Sequence, residues 1–105
     1  MTSPRMLPSE LSIYTAGEVK DQCLGWMAEG THGHGTEAEG FRLEAGAVDL
    51  VDAAGVQLLV SLSHSLANQS SRLCLAQPSA TLTDAIVALG LSDWLEAHRI
   101  EGATA

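Results

Sequence analysis

The sequence predicts an α/β domain built around a mainly parallel sheet. Short β-prone runs alternate with longer stretches in which apolar residues recur at helical spacing. Cap and stop residues mark the junctions between them. The length, 105 residues with 46% hydrophobic side chains, suits one domain with one core. The expected order is strand, helix, strand, helix, strand, helix, with room for a short extra strand at the front. Right-handed crossovers between such strands make the sheet largely parallel.

Leu11 to Tyr14 is short and alternating and reads as the first strand. Thr15-Ala16-Gly17-Glu18 then has the form of a capping box, with Thr15 as the cap and Glu18 reaching back to it. Val19, Cys23, Trp26 and Met27 follow on one helical face. Residues 30–40 form a Gly/His-rich loop between this helix and the next strand. Phe41 to Ala45 alternates as a half-buried strand should, and Gly46 to Val51 reads as a short apolar connection. Asp52 is placed as the N-cap of a long apolar helix, in which Val56, Leu59, Val60 and Leu66 share one face, widened by Leu58 and Leu62. Arg72 to Ala76 is the next strand, and Pro78-Ser79 with Thr81 to Asp84 supplies turn and cap chemistry. Leu82, Ala85, Ile86 and Leu89 give the spacing of a half-buried helix, and Gly90-Leu91 looks like a Schellman stop. Residues 1–105 thus make a single domain, with 101–105 as a frayed tail.

Charge and composition exclude several function classes. Net charge is −8, and the five basic residues (Arg5, Lys20, Arg42, Arg72 and Arg99) are scattered. No basic stripe exists to follow a nucleic-acid backbone, and an acidic face opposes binding to anionic lipid. No signal peptide or membrane-length apolar run is present, so the reading is cytoplasmic without direct membrane insertion. Cys23 and Cys74 show neither CxxC nor metal spacing and read as buried free thiols.

Catalytic chemistry is equally hard to find. Gly33-His34-Gly35 lies between a helix and a strand, beside Glu37 and Glu39, the wrong context for a phosphate loop. His32 and His34 with Glu37 and Glu39 have metal-ligand chemistry, but a glycine-rich loop holds ligands poorly. His64 and His98 fall on predicted helices and read as solvated or partly packed residues. Asp49 and Asp52 lack a partner for acid/base work, and no nucleophile elbow surrounds any serine. No metal, cofactor or enzymatic activity is expected.

One constellation stands out: Val48-x-x-Val51-Asp52-Ala53-Ala54-Gly55-Val56-Gln57-Leu58-Leu59. Its small residues let another backbone, or a phosphate, come close at a capped helix start, while tight packing of the helix on the sheet would account for Gly55 unaided. The pattern resembles the signature of STAS domains, the anti-sigma-factor-antagonist family. Glu10 to Ala16, Pro78-Ser79-Ala80 with Leu82, and Leu89-Gly90-Leu91 resemble further family segments, so the likeness runs from about Leu7 to Leu95. It implies a single STAS-like domain with a mostly parallel mixed sheet of about four strands, helices largely on one side, and no catalysis.

Phosphoregulated relatives carry Ser or Thr at this helix start, where a phosphate remakes the interface. Ala53 and Ala54 occupy those positions here and have no hydroxyl, so that switch is not expected. The resemblance implies a protein-binding surface at Asp52, Ala53, Ala54, Gly55, Val56 and Gln57. The partners it implies are an anti-sigma factor or kinase, or a chemotaxis-type signalling protein. The alternative is a small cytosolic STAS subunit docking on the ATPase of a phospholipid-transporting ABC system. Ser61, Ser63, Thr81 and Thr83 are the alternative positions to which phosphorylation could be displaced.

Overall fold

A computed structural model describes residues 5–30 and 40–100. Both the segment 31–39, with His32, His34, Glu37 and Glu39, and the tail 101–105 lie outside the described residues. The order of elements is β1 (Glu10–Leu11), α1 (Ala16–Gly30), β2 (Phe41–Glu44), β3 (Leu50–Val51), α2 (Ala53–Asn68), β4 (Leu73–Ala76), α3 (Ala80–Ala88), α4 (Ser92–His98) and β5 (Arg99–Ile100). This is the expected α/β architecture.

All strand pairings among the described residues are parallel, so the antiparallel member of a mixed sheet is not seen there. β2, β4 and β5 form one small sheet, and β1 and β3 form another. The N-terminal segment links them. Met6 bridges to Glu44, through hydrogen bonds from Leu7 N–H to the Glu44 carbonyl and from Glu44 N–H to the Arg5 carbonyl. Four residues further on, Glu10 and Leu11 pair with Leu50 and Val51. The chain from Glu44 to Leu50 takes six steps where its neighbour, Met6 to Glu10, takes four. β2 and β3 are therefore consecutive pieces of one path, separated by a two-residue bulge.

Alternation along these strands divides the sheet into two faces. Leu7, Leu11, Phe41, Leu43, Leu73 and Leu75 enter the core. Their neighbours Met6, Arg42, Glu44 and Leu50 point away from it, and Arg42 Nε holds Glu44 at 2.7 Å on that outer face. The four residues of β4 are all buried, as befits a strand flanked on both sides. Above the core face, α2 packs against α1, α3 and strands β1, β3 and β4. Gly55, Val56, Leu59, Leu62, Ser63 and Leu66 face inward. Val19, Cys23 and Met27 of α1 and Leu82 and Ile86 of α3 complete that core.

Several local expectations change. The first strand stops at Leu11, and Ile13 and Tyr14 form a turn with 66% and 88% of their surfaces exposed. The capping box sits one turn earlier than expected, at Ser12-x-x-Thr15. Tyr14 N–H donates to Ser12 Oγ at 3.1 Å, and Ser12 N–H donates to Thr15 Oγ1 at 3.0 Å. With Thr15 engaged in this way, the predicted Thr15–Glu18 box does not form. The connection 46–51 contains strand β3, whose two residues were too few to show alternation.

The chain end also adds α4 and β5 to the expected elements. A Schellman motif separates α3 from α4. Gly90 has φ +80°, its N–H donates to the Val87 carbonyl, and Leu91 N–H donates to the Ile86 carbonyl. Leu89, expected on the buried stripe, is the C-cap of α3 and stays 47% exposed. Ser79 caps α3, accepting from Leu82 N–H at 3.1 Å, and its own hydroxyl donates to the Val48 carbonyl at 2.6 Å. The start of α3 is thus fastened to the β2–β3 bulge.

Leu59 is fully buried where α2 meets the sheet. Replacing it with alanine leaves a cavity, so urea unfolding should show a loss of about 2–5 kcal/mol. Val87→Ala, on the exposed side of α3, should change stability by about 0.5 kcal/mol or less.

Candidate functional site

The sequence placed its candidate site at the start of α2, and the structure makes that start the junction of two chain segments. Asp52 leaves β3 in an extended conformation (φ −127°, ψ −177°) and becomes the N-cap of α2. Its Oδ1 accepts from Gly55 N–H at 3.0 Å. Its Oδ2 accepts from Ile13 N–H at 3.1 Å, 39 residues away in the chain. Asp52 N–H donates to the Leu11 carbonyl at 3.3 Å. One residue therefore caps a helix, extends a ladder and fixes the β1–α1 turn.

These bonds shift the carboxyl. The Ile13 N–H, and next the Gly55 N–H, stabilise the charged form and hold the Asp52 pKa below its usual value of 3.8. Such a group adds stability above the ordinary carboxylate range, and loses it as pH falls through the lowered pKa.

Gly55 explains why the two segments meet so closely. A Cβ there would overlap the Leu11 carbonyl oxygen and lie 2.7 Å from the Leu11 carbonyl carbon. Backbone is on the receiving side, so no side-chain adjustment relieves the clash. Glycine at 55 is a steric requirement of packing α2 onto the end of β1.

The remaining predicted residues divide by direction. Ala53 and Gln57 are exposed, and Asp52 and Ala54 are half-buried. Gly55 and Val56 are buried and support the site from below. Beside them lies what the sequence reading missed: the exposed Ile13–Tyr14 turn. Ser12, only 4% exposed, anchors it by donating to Glu10 Oε2 at 2.6 Å, and Thr15 Oγ1 donates to the Glu10 carbonyl at 3.0 Å. The available signal was the Ser12-x-x-Thr15 spacing itself, a cap pattern obscured by the β-prone Ile13-Tyr14 pair.

Elsewhere most of the chemistry-bearing residues serve packing. Ser63 is buried; its hydroxyl donates to the Val60 carbonyl at 2.6 Å and accepts from Trp94 Nε1 at 3.1 Å, so it offers no accessible phosphorylation site. His98 stacks on Trp94 with centroids 4.6 Å apart. Its Nδ1 lies 2.8 Å from the Trp94 carbonyl, which requires the proton on Nδ1. His64 is exposed. Cys23 and Cys74 are buried and free, and burial pushes the Cys23 thiol up to about 11. Among the described residues, no group of three His, Cys, Asp or Glu side chains is placed to hold a metal. None of the described helices is long and apolar enough to cross a membrane.

A helix start wedged against a strand end, internally capped and flanked by an exposed turn, is the distinctive feature of this small α/β domain. One family model matches almost the whole chain: the STAS domain, over residues 6–102. The chain belongs to the STAS domain family. STAS domains are generally non-enzymatic modules that mediate protein–protein contacts. No curated protein and no solved structure gives a significant match to the chain.

Gly55→Ala should abolish cooperative folding, seen as loss of near-UV circular dichroism. Gly17→Ala, where nothing lies within 4 Å of the added methyl, should stabilise α1 by about 0.5–1 kcal/mol. Asp52→Asn should lower the urea midpoint at neutral pH and flatten its fall below about pH 4, because the group whose protonation drives part of that fall is gone.

Proposed function

We propose that this chain is a cytoplasmic, non-enzymatic STAS module of bacterial signalling, anti-sigma-factor-antagonist-like or chemotaxis-associated. It docks on a protein partner through the start of α2. The contact residues are Asp52, Ala53, Ala54 and Gln57, with Gly55 and Val56 setting their position from beneath. The observation that carries this reading is the pair of alanines on a capped helix start: Ala53 exposed, Ala54 half-buried, and neither bearing a hydroxyl.

Physically, such a surface is always in one state. A phosphate added there would bring close to two negative charges beside Asp52 and alter any interface. Without an acceptor hydroxyl at 53 or 54, the bound fraction depends on how much of the partner is present, at an affinity no phosphate there alters. The internal cap adds to this constancy, since Asp52 already satisfies the Gly55 N–H and fixes the turn.

Ala54→Glu tests the reading with little risk to the fold, because an acidic side chain in the first turn of α2 favours the helix dipole. Far-UV circular dichroism should match wild type, while capture of the partner from the native cell should fail. A folded Ala54→Glu protein that retains full binding would contradict the proposal. A captured histidine kinase, anti-sigma factor or chemotaxis protein supports the signalling role. Transporter ATPase subunits would instead make the chain a component of a phospholipid-transporting ABC system.

A further inference from the structure

Ile13 and Tyr14 are the most exposed of the large apolar side chains among the described residues, at 66% and 88%. They occupy neighbouring positions on one turn, and that turn is not loose. Asp52 Oδ2 holds its Ile13 N–H, Ser12 Oγ holds its Tyr14 N–H, and Thr15 Oγ1 closes it against β1. An aromatic side chain on a rigid backbone loses little entropy on binding, which is why tyrosine recurs among interface anchors.

The same region has one sign of charge. The segments that build it, residues 9–18 and 48–57, carry Glu10, Glu18, Asp49 and Asp52 and no lysine or arginine. Glu10 and Asp52 are committed to holding the turn. Asp49 and Glu18, on these same two segments, are exposed.

We propose that the Ile13–Tyr14 turn and the start of α2 form one continuous docking surface for a protein whose contacting face is basic and surrounds an apolar recess. Tyr14 and Ile13 enter the recess, and Asp49 and Glu18 meet basic side chains at its rim. This rests on the α2 start being the docking site and extends it to a second segment and to the partner's chemistry. Rim charges of this kind govern encounter rate and salt dependence more than contact energy, so the two contributions separate experimentally.

The probe is the protein that wild type retains from the native cell and the Ala54→Glu variant does not. Its dissociation constant is measured for wild type, Tyr14→Ser, Asp49→Lys and Val87→Ser, at low and high salt, with circular dichroism confirming each fold. Tyr14→Ser should weaken binding about tenfold or more at both salt concentrations. Asp49→Lys should weaken it at low salt and much less at high salt. Val87→Ser, on α3, should bind as wild type does.

Wild-type affinity in both Tyr14→Ser and Asp49→Lys would overturn this inference while leaving the α2 site in place. A partner whose contacting face proves acidic would overturn it too. If no protein distinguishes wild type from Ala54→Glu, the proposed function falls, and this extension falls with it.

Discussion

The approach of Gly55 to the Leu11 carbonyl oxygen governs the architecture around the site. A helix ordinarily keeps a side chain's width from the strand it packs on. Here the first turn of α2 rests directly on backbone, and the Asp52 carboxylate bonds to both segments across the contact. Val56 and Leu59 then enter the core at full burial because the helix axis is already fixed at its beginning. The Ile13–Tyr14 turn is placed by the same carboxylate, so α1 inherits its starting point from the α2 junction. Burial of the apolar helix faces supplies most of the stabilisation, and this junction decides where those faces lie.

The same smallness bears on the proposed docking role. At 53 and 54 the chain has only methyl groups, which leaves the start of the helix uncovered by long side chains. A partner can approach its backbone closely, and the shape it meets does not depend on side-chain rotamers. The alanines also remove the means of covalent control at those positions. For the proposed docking role, the internally capped geometry and the absence of an acceptor hydroxyl at 53 and 54 favour a preformed contact over a switched one.

Much of this was legible in the sequence because it rests on local rules. Asp52 before three small residues marked a helix start, Ser79 and Gly90 marked the limits of α3, and the stripe through Val56, Leu59 and Leu66 marked the buried face. What escaped depended on contacts distant in the chain. The β-propensity of Ile13 and Tyr14 suggested a strand, yet Asp52, 39 residues later, draws Ile13 N–H into a turn. β3 has only two residues, and its identity comes from pairing with β1 across a bulge. Of the six residues expected to contact a partner, Gly55 and Val56 are buried. The helical period had already put Val56 on the buried stripe, whereas the backbone that Gly55 meets depended on the position of Leu11.

The central claim, that one preformed surface joins the β1–α1 turn to the start of α2, is most directly tested by titrating isotope-labelled protein with the captured partner and following backbone amide resonances. The account predicts shifts centred on Ile13, Tyr14, Ala53, Ala54 and Gln57, with the Gly55 amide keeping its protection from hydrogen exchange throughout. Shifts centred instead on the exposed residues of α3, or on the outer sheet face around Met6 and Arg42, would contradict it.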